Sequence, residues 1–134
     1  MEKIALAPRR ARKKNETTGL VVPALAALNA FAWCQVWRSN VGALRDETGR
    51  LVRYGLCDGA SDILGIVRVV PTQLEWGTGR FFALECKMPG KKPTAAQEAF
   101  LELVRARGGF AAWCDSLDGA IAAAQRARDP GQDR

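Results

Sequence analysis

One apolar strand that carries two opposite charges constrains this chain more than any other segment. Residues 81–87, Phe-Phe-Ala-Leu-Glu-Cys-Lys, are apolar except for Glu85 and Lys87. Because strand side chains alternate between two faces, these two charges point to one face, and the side chains of Phe82, Leu84 and Cys86 point to the other. An unpaired charge is costly to bury. The segment therefore predicts a functional site inside a strand rather than plain core.

A second acid, Asp62, opens another apolar run 23 residues upstream of Glu85, which is enough chain for two strands and a loop. Two carboxylates at adjacent strands can bind a hard divalent cation, since Mg²⁺ and Mn²⁺ prefer carboxylate, carbonyl and water oxygens. The backbone carbonyl of Cys86 is a third candidate ligand. Lys87 can hold an attacking water and favour its deprotonated form. This constellation predicts metal-dependent cleavage of phosphodiester bonds.

Composition excludes several classes of protein. The 134 residues suit one domain, and the absence of histidine excludes zinc fingers and histidine-based catalysis. No apolar run is long enough to span a membrane. The four cysteines are far apart, without a CxxC pair. Cys86 and Cys114 lie in apolar runs, which predicts buried free thiols and a reducing cytoplasm.

Positive charge is concentrated at the N-terminus. Residues 1–14 hold six basic side chains and one acid, whereas the other 120 residues hold 14 basic and 13 acidic side chains. We interpret residues 1–18 as a basic flexible arm, and nucleic acid is the partner that suits it best. The alternative is a solvated tail without a partner. The arm residues expected to contact nucleic acid are Arg9, Arg10, Arg12, Lys13 and Lys14.

Local patterns predict an α/β order of elements. Helices are expected at about 22–32, at 94–107 with an apolar stripe of helical spacing, and from a Ser116 cap to about 128. Strands are expected at 33–38, 51–57, 63–70, 80–88 and 110–114. The long strands are apolar on both faces, which is typical of a central sheet covered by helices. Residues 129–134 are expected to form a C-terminal tail.

Five sequence blocks in order resemble a known family. They are Trp-Arg-Ser-Asn-Val-Gly at 37–42, Gly-Ala-Ser-Asp-Ile-Leu-Gly at 59–65, Gly-Arg-Phe-Phe-Ala-Leu-Glu-Cys-Lys at 79–87, Gln-Glu-Ala-Phe-Leu at 97–101 and Gly-Gly at 108–109. The order and spacing are similar to those of virus-type replication-repair nuclease (VRR-NUC) domains, a branch of the PD-(D/E)XK nuclease superfamily. The resemblance extends from about Glu16 to Ile121 and is greatest to small stand-alone phage and bacterial members.

The resemblance implies a restriction-endonuclease-like PD-(D/E)XK core, a central mixed sheet flanked by helices, over residues 19–128. It implies that Asp62 and Glu85 bind Mg²⁺ or Mn²⁺, that Lys87 is the catalytic lysine and that Gln97 lies over the site. Many members add an acid from the first helix, and Glu16 is the candidate here. The expected activity is that of an endodeoxyribonuclease on branched DNA, such as a junction or a flap. A homodimer is expected, with no membrane association.

Simpler alternatives stay open at each position. Gln97 can instead close a capping box with Thr94, and Asp62 can be a turn residue. Glu85 and Lys87 can lie on the solvated face of an edge strand. Four polar residues can contact phosphate at the rim or serve structure and solvation alone: Arg38, Asn40, Lys91 and Lys92. At the level of the whole protein, the rivals are a catalytically idle nucleic-acid-binding module and a phage assembly or structural protein.

Overall fold

Six strands and three α-helices account for most of the described residues, 15–69 and 77–133, in this computed structural model. The strands are β1 Cys34–Arg38, β2 Gly42–Arg45, β3 Leu51–Tyr54, β4 Ile63–Arg68, β5 Gly79–Cys86 and β6 Phe110–Cys114. The helices are α1 Val22–Asn29, α2 Ala95–Ala106 and α3 Leu117–Arg128. The predicted mixed α/β class is confirmed.

Four of these strands form one mixed sheet in the order β1-β4-β5-β6, and β2 pairs with β3 in a separate hairpin. The pairs β1–β4 and β4–β5 are antiparallel, whereas β5 and β6 are parallel. Parallel neighbours need a long crossover, and α2 provides it between them. The strand that carries Glu85 is therefore central in the sheet.

Helices pack on both faces of the sheet. On one face, Phe82 and Leu84 of β5 belong to a core with α1 and α3. On the other face, Ala83 packs with Phe100 and Leu101 of α2. The predicted alternation of faces along β5 is thus confirmed. The buried positions of α3 are all alanine, which lets this helix approach the sheet closely.

Both C-terminal helices begin at the predicted caps. The Thr94 hydroxyl accepts from the Gln97 N–H at 3.3 Å, and the Gln97 side chain accepts from the Thr94 N–H at 2.8 Å. This reciprocal pair satisfies two of the N–H groups that a helix start leaves without partners. The Ser116 hydroxyl accepts from the Gly119 N–H at 3.0 Å.

The N-terminal boundary differs from the prediction. A π-helical turn, Thr17–Val21, runs directly into α1, so the arm does not extend to residue 18. Pro23 has no N–H to donate to the carbonyl four residues earlier, which accounts for a wider turn at this point. The first helix is thus continuous from beside Glu16, and α1 ends at Asn29 rather than at 32. At the other end, Pro130–Asp133 forms a 3₁₀ turn in the predicted tail.

The β2–β3 hairpin was only half predicted. The expected strand 51–57 is shorter, at Leu51–Tyr54, and its partner β2 was missed. β2 reads Gly-Ala-Leu-Arg, a sequence without a β-branched or aromatic residue and hence with weak strand propensity. Its turn is held by the Asp46 carboxylate, which accepts from the N–H groups of Thr48 and Arg50, both at 2.9 Å.

Candidate active site

Asp62 and Glu85 lie opposite each other at one end of the central sheet. In the β4–β5 ladder Ile63 is paired with Leu84. Extending this register by one position brings residue 62 opposite residue 85, and the Asp62 carboxylate is close enough to raise the pKa of Glu85 through its charge and a side-chain hydrogen bond. The Asp62 carboxylate also accepts a hydrogen bond from the Cys86 N–H, at 2.9 Å from Oδ2. The predicted pairing of these acids across two strands is therefore observed, and Asp62 bonds the neighbouring strand rather than its own turn.

Glu85 is a buried acid with an incompletely satisfied carboxylate. Its exposure is 1%, and Oε2 of the ionised carboxylate has no hydrogen-bond donor, whereas the protonated acid shares a hydrogen bond with Asp62 that helps to raise its pKa. Oε1 lies 3.2 Å from the Nζ atom of Lys87, which is itself nearly buried. Because β5 is central and Glu85 is shielded from solvent, the alternative of a solvated edge strand is wrong. A buried oxygen without a partner is expensive unless another group binds it.

The acid pair changes the protonation chemistry of the site. Burial, together with the negative charge of Asp62, raises the pKa of Glu85 to about 7, and the Lys87 ammonium partly opposes this rise. Near neutral pH the apo site therefore holds Glu85 in a mixture of protonated and ionised forms. A cation that binds the carboxylates would compete with that proton.

The donor set fits a hard cation that uses few protein ligands. Among residues 15–69 and 77–133, no group of three or more His, Cys, Asp or Glu side chains is placed to hold a metal ion. Mg²⁺ commonly binds one or two carboxylates and fills its remaining positions with water and substrate phosphate. Asp62 and Glu85 meet that requirement, and the unpartnered Oε2 atom of Glu85 supplies an open oxygen. The role of the Cys86 carbonyl as a further ligand stays a prediction.

Glu16 lies near the site without joining the acid pair. Its Oε2 atom accepts from the Met88 N–H at 3.2 Å, one residue beyond Lys87. This contact connects the start of the first helix to the end of β5. Since the described residues contain no three-acid group, Glu16 is not in one ligand set with Asp62 and Glu85 in this structure. Its role as a metal ligand stays a prediction.

Gln97 uses its amide oxygen in the capping box with Thr94. It also lies beside the loop that leads to Asp62. Gly59 in that loop has φ +79°, and a Cβ atom there would lie only 3.0 Å from the Gln97 backbone nitrogen and closer still to the Ala96 carbonyl. Gly59 therefore lets this loop pack against the start of α2, a contact that our sequence reasoning missed. The available signal was the Asp58-Gly59 pair, a common turn sequence.

The basic rim residues occupy the same end of the sheet as the acids. Arg38 ends β1 opposite the start of β4, and its guanidinium donates to the Thr17 hydroxyl at 3.3 Å. Asn40 is exposed in the connection after β1, and Lys91 and Lys92 are exposed in the loop after β5. The five predicted arm residues lie outside the described residues: Arg9, Arg10, Arg12, Lys13 and Lys14.

All four cysteines are free, and the predicted burial of Cys86 and Cys114 is confirmed. They face each other across the β5–β6 ladder. A hydrogen bond between their thiols raises the pKa of Cys86 and lowers that of Cys114. They pack in the core on the opposite face of β5 from Glu85.

No protein-family model matches this chain, and no curated protein matches it significantly. Among the helices of the described residues, none is long and apolar enough to cross a membrane.

Proposed function

We propose that this chain is a divalent-metal-dependent DNA endonuclease of the VRR-NUC type. One observation carries the proposal: Glu85 is fully buried in a central strand with an unpartnered oxygen, directly across from Asp62 and 3.2 Å from Lys87. A structural core has no use for this arrangement, because each buried charge adds a desolvation cost. A hydrolytic metal site, by contrast, uses two carboxylates to bind the metal ion and a positively charged side chain, here Lys87, beside them.

The order of elements supports the same reading. The chain forms a central mixed sheet flanked by helices, which is what the PD-(D/E)XK resemblance implies. The acids lie at the ends of the second and third strands of the main sheet, and the lysine follows the second acid by two residues. We therefore propose this core for residues 19–128, extended at its start by the helical turn at Thr17.

The residues divide the chemistry between them. When bound, Mg²⁺ or Mn²⁺ supplies polarisation of the scissile phosphate and neutralises charge in the transition state. Asp62 and Glu85 would hold the cation, with Asp62 oriented by the Cys86 N–H. The Lys87 ammonium would orient the attacking water and favour its deprotonated form. Gln97 would lie at the edge of the phosphate path.

The partner we propose is branched DNA. Arg38, Asn40, Lys91 and Lys92 are exposed in segments next to the strand ends that carry the acid pair, and residues 1–14 carry a net charge of +5. Phosphate contacts position DNA without reading its sequence, so little sequence specificity is expected. We further propose that two copies act together, because a twofold dimer would present two sites to a substrate with two strands to cut. The buried free thiols suit a reducing cytoplasm.

One observation favours the idle binding module as a second candidate. The described residues lack a three-acid cluster, so the cation would depend on two carboxylates and on the substrate for its remaining ligands. An idle module would retain DNA affinity and show no metal-dependent turnover.

A cleavage assay separates these candidates. Flap, four-way, nicked and linear DNA are each incubated with the full chain and Mg²⁺, Mn²⁺ or EDTA. Cleavage of a branched substrate in either metal is expected, with none in EDTA. Asp62→Asn and Glu85→Gln should each reduce the rate by at least about a thousandfold, because transition-state stabilisation of several kcal/mol is lost.

The matched control is Glu102→Gln, an exposed acid on α2. It should cleave at the wild-type rate. If the Glu85→Gln protein cleaves as fast as this control, the cleavage does not depend on the Asp62–Glu85 pair. Tight binding of junction DNA with no cleavage in either metal would identify the idle module.

A further inference from the structure

Strand β6 places a large aromatic side chain beside the acid pair. In the parallel β5–β6 ladder, Trp113 lies directly opposite Glu85. Two positions earlier in the same ladder, Ala83 is paired with Ala111, and both pack in the cluster under α2. Because strand side chains alternate with period 2, Glu85 and Trp113 lie on that same face of the sheet. Trp113 is thus the neighbour of Glu85 on β6, just as Asp62 is its neighbour on the side of β4.

Trp113 is the one exposed residue among the five of β6, the last strand of the four-stranded sheet. Its exposure is 38%, beside a Glu85 that is buried. Among the residues that the structure describes, the indole takes part in no ring stacking and no cation–π contact. A tryptophan contributes most to a fold when its large apolar area is buried. The packing of the sheet therefore leaves this ring available at the edge of the acid site.

The spacing suits one phosphate and one base of the same DNA strand. Neighbouring strands of a sheet lie about 4.8 Å apart, which is the separation expected between the backbones at Glu85 and Trp113. Successive nucleotides of a stacked strand are about 3.4 Å apart along its axis. A phosphate held at the acid pair would therefore bring the base of an adjacent nucleotide within reach of the indole. In a duplex that base is paired and stacked between its neighbours, so only an unpaired base can offer its face.

Charge favours a base, rather than a phosphate, as the group that lies over Trp113. Asp115 is exposed directly after β6, and Asp62 and Glu85 lie on the other side of the indole. The uncharged face of a base can lie among these acids. A phosphate would be repelled there unless a metal ion or a cation such as Lys87 compensated its charge.

We infer that Trp113 is the stacking platform for an unpaired base next to the scissile phosphate. The inference rests on the proposed function for the acid pair as the place of cleavage, and it narrows the substrate class. The DNA that this site accepts is unpaired at the cleaved position, as at a flap or at the edge of a branch. Stacking tolerates any sequence, because every base has a π face. The indole holds the base and thereby positions the phosphate, and it takes no part in breaking the bond.

The test is the cleavage kinetics of a branched substrate in which one nucleotide lacks its base. The abasic nucleotide is placed in turn on either side of the cleaved phosphate. For the wild type, one of the two positions should raise KM about 10-fold with little change in kcat, since stacking is uniform binding. Trp113→Ala should raise KM by a similar factor on the intact substrate and should not respond to the abasic nucleotide. Trp113→Phe, which keeps a ring, should restore most of the lost affinity.

Phe81→Ala is the matched control. Phe81 is an exposed aromatic residue on the same face of β5, four residues or about 13 Å along the strand from Glu85. Its variant should respond to the abasic nucleotide as the wild type does. An equal response in the wild type and Trp113→Ala would overturn the inference, as would a Trp113→Ala protein with the wild-type KM.

Fluorescence in EDTA separates this inference from the proposed function, because it requires no cleavage. Short single-stranded DNA should quench the tryptophan fluorescence of the wild type, and Trp113→Phe should lose most of that quenching. The phenylalanine variant keeps this test decisive even if Trp113→Ala fails to fold. Quenching that depends on Trp113 in a protein that never cleaves DNA would refute the proposed function and leave the stacking role standing. Cleavage that requires Glu85, with neither quenching by Trp113 nor an abasic effect, would refute this inference alone.

Discussion

Replacing Glu85 by glutamine should stabilise the apo protein at alkaline pH. The buried carboxylate is ionised there, next to Asp62, and its desolvation and repulsion oppose folding. Glutamine has nearly the same shape and resembles the protonated acid without the charge. The site would thus gain stability by losing the group on which its chemistry depends.

The magnitude follows from the shift in pKa. Folding raises the pKa of Glu85 from 4.5 to about 7. At 1.36 kcal/mol per unit, the ionised form costs about 3 kcal/mol of folding free energy. The folded state binds the Glu85 proton more tightly than the unfolded state does. The stabilisation that this proton gives the folded protein is therefore complete below pH 4.5 and is lost as the pH rises through 7. Most of the loss, roughly 2–3 kcal/mol, falls between pH 5 and pH 8.5.

Urea unfolding at pH 5 and pH 8.5 measures how the free energy of unfolding depends on pH. The wild type, Glu85→Gln and the Glu102→Gln control are compared, all in EDTA. The two glutamine variants should have similar stabilities at pH 5, and Glu85→Gln should exceed the control by about 2–3 kcal/mol at pH 8.5. The m-values should not change. A gap that is the same at both pH values would refute this reasoning. A destabilised Glu85→Gln at pH 8.5 would show instead that the pairing with Lys87 outweighs burial.

Three further results are expected. Lys87→Ala should lower kcat far more than DNA affinity in single-turnover and binding assays; equal losses would make Lys87 a DNA-contact residue. Gln97→Glu preserves the capping box but adds negative charge. A fall in nuclease activity at unchanged Tm would reveal a role of Gln97 beyond the cap. Unchanged activity would limit Gln97 to capping. Deletion of residues 1–14 should weaken binding to all DNA sequences alike. If three or four phosphate contacts are lost, the slope of the log DNA association constant against log salt concentration should flatten by roughly 3. Identical slopes for the full-length and shortened proteins would mean that these residues do not contact DNA.

Local patterning made the buried acid site predictable. The period-2 alternation of β5 and the charges at Glu85 and Lys87 were sufficient to predict a shared face, and the structure confirms it. The Thr94 capping box was predictable for the same reason, because all of its atoms belong to four consecutive residues. The positions of such features depend on covalent geometry more than on distant packing.

Features that depend on tertiary packing were not predictable. The hydrogen bond between Glu16 and Met88 joins residues 72 positions apart, and no local pattern announces it. β2 has weak strand propensity and pairs because β3 lies beside it across a tight turn. The Asp58-Gly59 pair is a common turn sequence, but the glycine is needed there because the α2 backbone comes close to it.

The pairing register of β4 and β5 determines both which side chains enter the core and whether Asp62 lies opposite Glu85. A slip of one residue would turn Asp62 toward the sheet face that carries Phe82. It would also move Ile63 from that face to the face covered by α2. A slip of two would restore the faces but separate the acids by about 7 Å along the strand. On the other side of β4, Gly65 lets β1 approach closely, because a Cβ atom there would collide with the Gln35 carbonyl and the Val36 backbone. Substitutions far from Asp62 and Glu85 can therefore abolish the site by shifting the alignment of two strands, with every residue of the site still present.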